Sequence, residues 1–143
     1  MKEKFIILVA DRNKHIRELL KRELSDDGYQ VILAKTVAEV VTIVSSVDPI
    51  HLIVIDDDLP DGGLVDIMLK LKGRLDRIPV VHHSCHRNHS TDIALSRTIY
   101  DIEKGRDSIS RIRILADQIS RQVTSAAVPG KSGRPVIQPD TNR

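Results

Sequence analysis

The chain has 143 residues, and 22 Lys and Arg against 20 Asp and Glu leave a formal charge of +2, too small a field to imply nucleic acid or a membrane surface by charge alone. That length suits one domain around one core. A single cysteine, Cys85, excludes an internal disulfide framework, and no apolar run approaches the roughly 20 residues of a membrane span. Met1 to Lys4 is basic, but the apolar segment after it, Phe5 to Ala10, is too short for the core of a signal peptide, so a cytoplasmic location is expected. The aromatic residues Phe5, Tyr29 and Tyr100 offer no stacking platform for single-stranded nucleic acid.

In chain order the pattern alternates strand and helix. Phe5 to Ala10 is fully apolar and ends on Asp11, which reads as a buried strand. From Asn13 or Lys14 to Asp27, Ile16, Leu19, Leu20 and Leu24 recur at helical spacing, and Gly28 suits the position just past the helix end. Tyr29 to Leu33 is a short strand. Thr36 and Glu39 then form a capping-box pattern for a helix through Val40, Val41 and Val44, closed by Pro49. Leu52-Ile53-Val54-Ile55 is a run of large aliphatic residues, three of them β-branched, that stops on Asp56, Asp57 and Asp58. Such a run predicts a strand covered on both faces, as in a parallel sheet. Further helices are expected from Leu64 to Lys72, ended by Gly73, and at Ser90 to Leu95, with strands at Pro79 to Ser84 and Ile99 to Ile102. Asp107 is expected to cap a last helix with Ile109, Ile112, Ala116, Ile119 and Val123 on its inner face.

Five strand-helix units predict an α/β fold: a doubly wound, five-stranded parallel sheet flanked by five helices, flavodoxin-like. The order 2-1-3-4-5 places the two most apolar strands, the first and third, in the middle and sets Asp11 beside Asp56. In such sheets the ligand site lies beyond the carboxyl ends of the strands. Two readings fit the acids there. Asp56 to Asp58 can be a polar loop opening a helix, with Asp61 as its cap; or they form a hard-cation site whose carboxylate also takes a phosphoryl group.

Asp56-Asp57-Asp58-Leu59-Pro60 after an aliphatic strand resembles the receiver domain of two-component response regulators, and the likeness extends from about Lys4 to Val123. The resemblance implies that Asp56 is the phosphoacceptor. It matches Ser84 to the hydroxyl residue that meets the phosphoryl group and Lys104 to the lysine that pairs with it. It also implies a Mg2+ ion held by Asp11, Asp56 and the backbone carbonyl of Asp58. Two positions depart from the pattern: the second acid after the first strand is Arg12, and the usual Pro after the lysine is Gly105. A guanidinium at a metal-ligand position removes one negative charge and adds a positive one, so Mg2+ binding is expected to weaken. Arg12 is therefore assigned a modulating role, either pointing to solvent or pairing with Asp56 or Asp11 in place of the ion's charge.

The family's output face runs over the fourth helix, fifth strand and last helix, where an aromatic residue on the fifth strand follows the hydroxyl residue. Tyr100 is the switch candidate, with Asp101 as the other occupant of that slot. His82, His83, Cys85, His86 and His89 form a second chemical cluster, read as shaping the loop over the Asp56 pocket. A metal site is disfavoured, because His82 and His83 alternate to opposite faces of a strand.

The resulting expectation is a receiver over 1–123, with a disordered C-terminal tail over 124–143. It takes a phosphoryl group from a histidine kinase or phosphotransfer protein and switches a downstream protein partner. Neither DNA nor membrane binding is expected, and the apolar stripe of the last helix, with Ile114 and Leu115, is offered as a homodimer contact. The alternative is a pseudo-receiver, a binding module whose output is independent of phosphate because Arg12 disables the magnesium site. A magnesium-dependent phosphoryl hydrolase is disfavoured, since no second acid-base group accompanies the acids, and no enzymatic turnover of a separate substrate is expected.

Overall fold

The computed structural model describes residues 4–47, 49–71, 73, 77–85 and 99–127, without the side chains of 124–127. It holds the strands β1 (Ile6–Ala10), β2 (Gln30–Ala34), β3 (Leu52–Asp56), β4 (Val80–Ser84) and β5 (Ile99–Glu103). The helices among the described residues are α1 (Lys14–Asp26), α2 (Val37–Ser46), α3 (Leu64–Lys70) and α4 (Ser108–Ala127). The helix expected at Ser90 to Leu95 lies outside the described residues. Two compact units divide the chain, Met1–Arg113 and Ile114–Arg143, and the first contains the whole sheet.

All strand pairs are parallel, in the order β2-β1-β3-β4-β5. Every residue of β3 is buried, which is what an uninterrupted aliphatic run requires of a central strand. β-branched side chains suit that role, because they pack well on a pleated surface. Strand alternation divides the sheet into two faces. Leu8, Ala10, Ile53, Ile55 and Val80 form a core with Val37, Val40 and Val44 of α2 and Leu64, Ile67 and Met68 of α3. Ile7, Val9, Leu52 and Val54 are buried on the opposite face.

The helix ends follow local chemistry. The Asn13 side chain accepts from the Ile16 N–H at 3.1 Å and starts α1, and Gly28, at φ +98°, sits past its end as expected. Thr36 caps α2 by accepting from the Glu39 N–H at 3.1 Å, but Glu39 reaches back to the Lys35 N–H at 2.8 Å rather than to that of Thr36. Asp61 is a correction to the sequence reading. Its carboxylate accepts from the Val37 N–H at 2.6 Å and the Ala38 N–H at 3.1 Å, so it caps α2, not the helix that follows it. These amide bonds at a helix N-terminus hold the Asp61 carboxyl below the usual carboxylate range. α3 is closed instead by Asp66, which accepts from the Gly63 N–H at 2.9 Å.

Gly62 lies in the turn between these caps at φ +148°, and a Cβ there would stand 2.5 Å from Asp66 Oδ2. Gly62→Ala is therefore expected to destabilise the fold by about 1–3 kcal/mol, read as a lower urea midpoint, with the loss falling on the loop that carries Asp58.

α4 begins at Ser108 and runs to Ala127, four positions past the expected boundary at 123; the rest of the expected tail lies outside the described residues. Ile112 is buried in the first unit, and Ala116 and Ile119 are buried in the second. Ile109 is only half-buried and Val123 is exposed, so the expected inner stripe is shorter than its sequence pattern; Ile114, outside that stripe, is exposed. At the start of α4, Arg113 donates to Asp27 at 2.7 and 2.9 Å and to Glu23 at 2.9 Å, tying it to the end of α1.

Candidate functional site

Register decides what meets at the carboxyl ends of the strands. Ala10 pairs with Ile55, so the next residues, Asp11 and Asp56, fall side by side, and Asp56 pairs with His83 of β4. On the outer strand Ser84 pairs with Glu103, and the following residue is Lys104, whose N–H donates to the Ser84 carbonyl at 2.7 Å. Asp11, Asp56 and Ser84 are all buried, at 1, 2 and 3% exposure. Buried carboxylates demand partners, and here they have them.

Lys104 Nζ donates to Asp56 Oδ1 at 2.8 Å and lies 3.6 Å from Asp11 Oδ2. The Asp58 N–H donates to Asp56 Oδ1 and the Arg12 N–H to Asp56 Oδ2, each at 3.3 Å. Burial pushes the Asp56 carboxyl up, but the Lys104 hydrogen bond and charge, with the two amides, outweigh it and hold the group below the usual range. Asp11 goes the other way. Burial raises it to about 6, helped by the neighbouring charge of Asp56, although the Asn13 N–H at 2.8 Å and Lys104 pull against that rise. For Lys104, burial opposes the charged form, but the bond to Asp56 and the charge of Asp11 prevail and its pKa lies above the ordinary value.

Of the two courses expected of it, Arg12 takes the solvent-facing one and finds a partner there. Its guanidinium donates from Nη1 to Asp58 Oδ2 at 3.0 Å, with the two side chains 49 and 75% exposed. The pairing with Asp56 is made by its backbone N–H alone, and the cation that meets both buried acids is Lys104. The loop is held by Arg17, which donates to the carbonyls of Asp11 at 2.8 Å and Arg12 at 3.2 Å.

The histidines separate as strand alternation demands. His82 is on the face of Ser84 and meets Asp101 across the strands, Nδ1 to Oδ1, at 3.1 Å. His83 is on the face of Asp56, its Nε2 2.9 Å from the Ser108 hydroxyl, which also donates to the Gly105 carbonyl at 3.0 Å. Burial, and then the charge of Lys104, push His83 down to about 4. The switch candidate Tyr100 pairs with Val81, so alternation puts it on the face away from Ser84, whereas Asp101 shares the face of Ser84. His86 and His89 lie outside the described residues.

Sequence reasoning missed Ser108 and Arg17. Nothing in the sequence pattern sets Ser108 apart from the loop residues around it. Arg17 falls among the charged positions of the α1 pattern, with no signal that it would hold the Asp11 loop.

No family model matches the chain. One curated relative, "Response regulator RR06" of Streptococcus pneumoniae serotype 2 (strain D39 / NCTC 7466), is 37% identical over 75 residues, 52% of this chain and 34% of that protein. The chain thus matches about a third of that relative's length. Solved structures match over more of the chain. The receiver domain of the Francisella response regulator 1452 superposes with a TM-score of 0.70 at 20% identity, covering 84% of this chain and 99% of that one. A response regulator receiver protein from Sinorhizobium medicae WSM419 gives 0.72 at 18%, covering 83% and 96%. The fold is that of a response-regulator receiver domain. The non-phosphorylated HemR receiver domain from Leptospira biflexa shares it, with a TM-score of 0.68 at 22% identity over 81% of this chain and 94% of that one.

Receiver domains typically bind Mg2+ at the phosphorylation site, and a hard divalent ion needs several oxygen donors. In this receiver fold Asp11 and Asp56, two of the three implied ligands, converge, but Lys104 lies against both, while Arg12 engages the Asp58 carboxylate and not its backbone carbonyl, the third. Among the described residues no three His, Cys, Asp or Glu side chains gather into a set that could hold a metal ion. The donor set as arranged therefore fits a divalent ion poorly. No helix among the described residues is long and apolar enough to cross a membrane.

Proposed function

We propose that this chain works as a phosphoacceptor receiver in two-component signal transduction, with Asp56 as the residue modified. One observation carries the reading: a carboxylate at the end of the central strand, buried yet held ionised by the Lys104 ammonium at 2.8 Å. An ionised oxygen is a nucleophile, and the ammonium is placed to meet the charge that arrives with a phosphoryl group. The donor is the phosphohistidine of a histidine kinase or phosphotransfer protein. An Asp56 oxygen forms the bond to phosphorus while the P–N bond breaks, and the imidazole leaves with the electron pair. Ser84, buried beside the carbonyl that anchors Lys104, is the hydroxyl donor for the modified state. The output is a change in the β4–β5 edge read by a downstream protein partner, in the cytoplasm and without enzymatic turnover of a separate substrate.

The second reading, a binding module independent of phosphate, is favoured by Arg12 standing where the family pattern has an acid. Incubation of the whole chain with acetyl phosphate, followed by intact mass, separates the two. A gain of one phosphoryl group that Asp56→Asn abolishes supports the phosphoacceptor. No gain, with or without Mg2+, overturns it in favour of the binding module.

A further inference from the structure

The two residues that flank Asp56 in space do two things each. The backbone N–H groups of Arg12 and Asp58 hold its two carboxylate oxygens, one apiece, and the side chains of the same residues are joined to one another at 3.0 Å. Asp56 is buried while Arg12 and Asp58 are exposed. The ion pair therefore links the two sides of the site at its solvent edge. Exchanging an acid for arginine raises the local charge by two, as much as a divalent ion brings, and the guanidinium offers several N–H donors in a plane suited to phosphoryl oxygens. Only one of its nitrogens is bonded among the described residues, and to a partner that is itself exposed. An exposed pair of this kind is worth little, so Arg12 can leave Asp58 at small cost.

We propose that Arg12 is a phosphoryl-binding residue of this site, released from Asp58 when the anion arrives, and that with Lys104 it makes modification of Asp56 independent of a divalent ion. The proposal rests on the phosphoacceptor reading above and assigns that site its charge source. With acetyl phosphate as donor, an Asp56 oxygen forms the new O–P bond, the P–O bond to the acetyl group breaks, and acetate leaves with the electron pair. No redox partner is required and no proton need move. Arg12 then holds oxygens of the transferring group that would otherwise face water, and Lys104 remains on the inner side. Asp58, freed, keeps its backbone N–H toward Asp56.

The test uses the full chain with acetyl phosphate, in excess chelator and in added Mg2+, and follows intact mass with time. The wild-type protein is expected to gain one phosphoryl group at nearly the same rate in both. Arg12→Gln in chelator is expected to be slower by roughly ten- to hundredfold, the size of one charge-assisted hydrogen bond. Arg12→Asp is expected to label in Mg2+ and not in chelator. Asp58→Asn, which frees the guanidinium without touching the backbone N–H, is expected to label faster than wild type in chelator. All these side chains are exposed, and matching unfolding midpoints confirm that the variants fold. Wild-type labelling that vanishes in chelator and returns with Mg2+ overturns the proposal while leaving the phosphoacceptor reading in place. Equal rates for wild type and Arg12→Gln in chelator overturn it as well. No wild-type labelling in either condition, with labelling of Arg12→Asp in Mg2+, overturns both.

Discussion

Replacing Lys104 by methionine is expected to lower stability at pH 7 by about 3–5 kcal/mol, the usual loss when one partner of a buried ion pair is removed. The ammonium is the cation that meets both Asp11 and Asp56, and it is itself largely buried, at 18% exposure. Methionine fills the aliphatic part of its volume but leaves two adjacent carboxylates with only backbone amides. Each then resists ionisation in the fold more than in the unfolded chain, so the variant should recover stability on acidification, which protonates them. The double variant Lys104→Met with Asp56→Asn should regain much of the loss at pH 7, because only one carboxylate remains. Asp56→Asn alone should change stability little, since it removes the repulsion with Asp11 and leaves Lys104 a partner at 3.6 Å. Urea midpoints at pH 7 and pH 5 for the four proteins test the cycle. A Lys104→Met protein as stable as wild type, or one that weakens on acidification, would show that Asp11 and Asp56 do not depend on the ammonium.

The frame of this site was legible in the sequence because it depends on strand periodicity and on residues that follow strands directly. β1 and β3 each run apolar into an acid, so their adjacency in the sheet brings Asp11 to Asp56 with no further information. Lys104 follows β5 in the same way. What could not be read was where long polar side chains turn. Arg12 has acids on either side of it in space, and the choice of Asp58 over Asp56 is made by burial: Asp56 is already saturated by Lys104 and two amides, while Asp58 stands in solvent at the right reach. Asp61 was placed at the nearer helix by sequence distance, yet the turn at Gly62 directs it to the free N–H groups of α2, 24 residues away in the chain. Tyr100 and Asp101 differ by one position, and in a strand one position is the difference between faces. Only the pairing of β4 with β5 fixes which of them stands with Ser84. His83 is the clearest case of a hidden environment, since nothing in the sequence distinguishes a histidine bonded to Ser108 from its neighbour bonded to Asp101.

His83 also sets the response to acid. Its pKa falls from 6.5 to about 4 on folding, so the folded state takes up its proton later than the unfolded chain. The stability it contributes is complete above pH 6.5 and is lost as pH falls toward 4, by roughly 3 kcal/mol in all. Asp11 runs in the opposite sense. Raised from 3.8 to about 6, it binds a proton more readily in the fold than in the unfolded chain, so its contribution is complete below pH 3.8 and is lost as pH rises through 6. The amount is again roughly 3 kcal/mol. Between pH 4 and 6 the two slopes cancel, and the wild-type protein should show a nearly level urea midpoint across that window. Each variant uncovers the other residue. Asp11→Asn, which keeps an oxygen for the Asn13 N–H, should lose stability steadily from pH 6.5 to 4. His83→Leu should instead gain stability from pH 6 downward until, below about 3.8, the carboxylates held low in the fold, Asp56, Asp27 and Asp61, begin to lose their contribution. A level profile in Asp11→Asn would mean that His83 accepts a proton in the fold as easily as in the unfolded chain, despite its burial and the charge of Lys104.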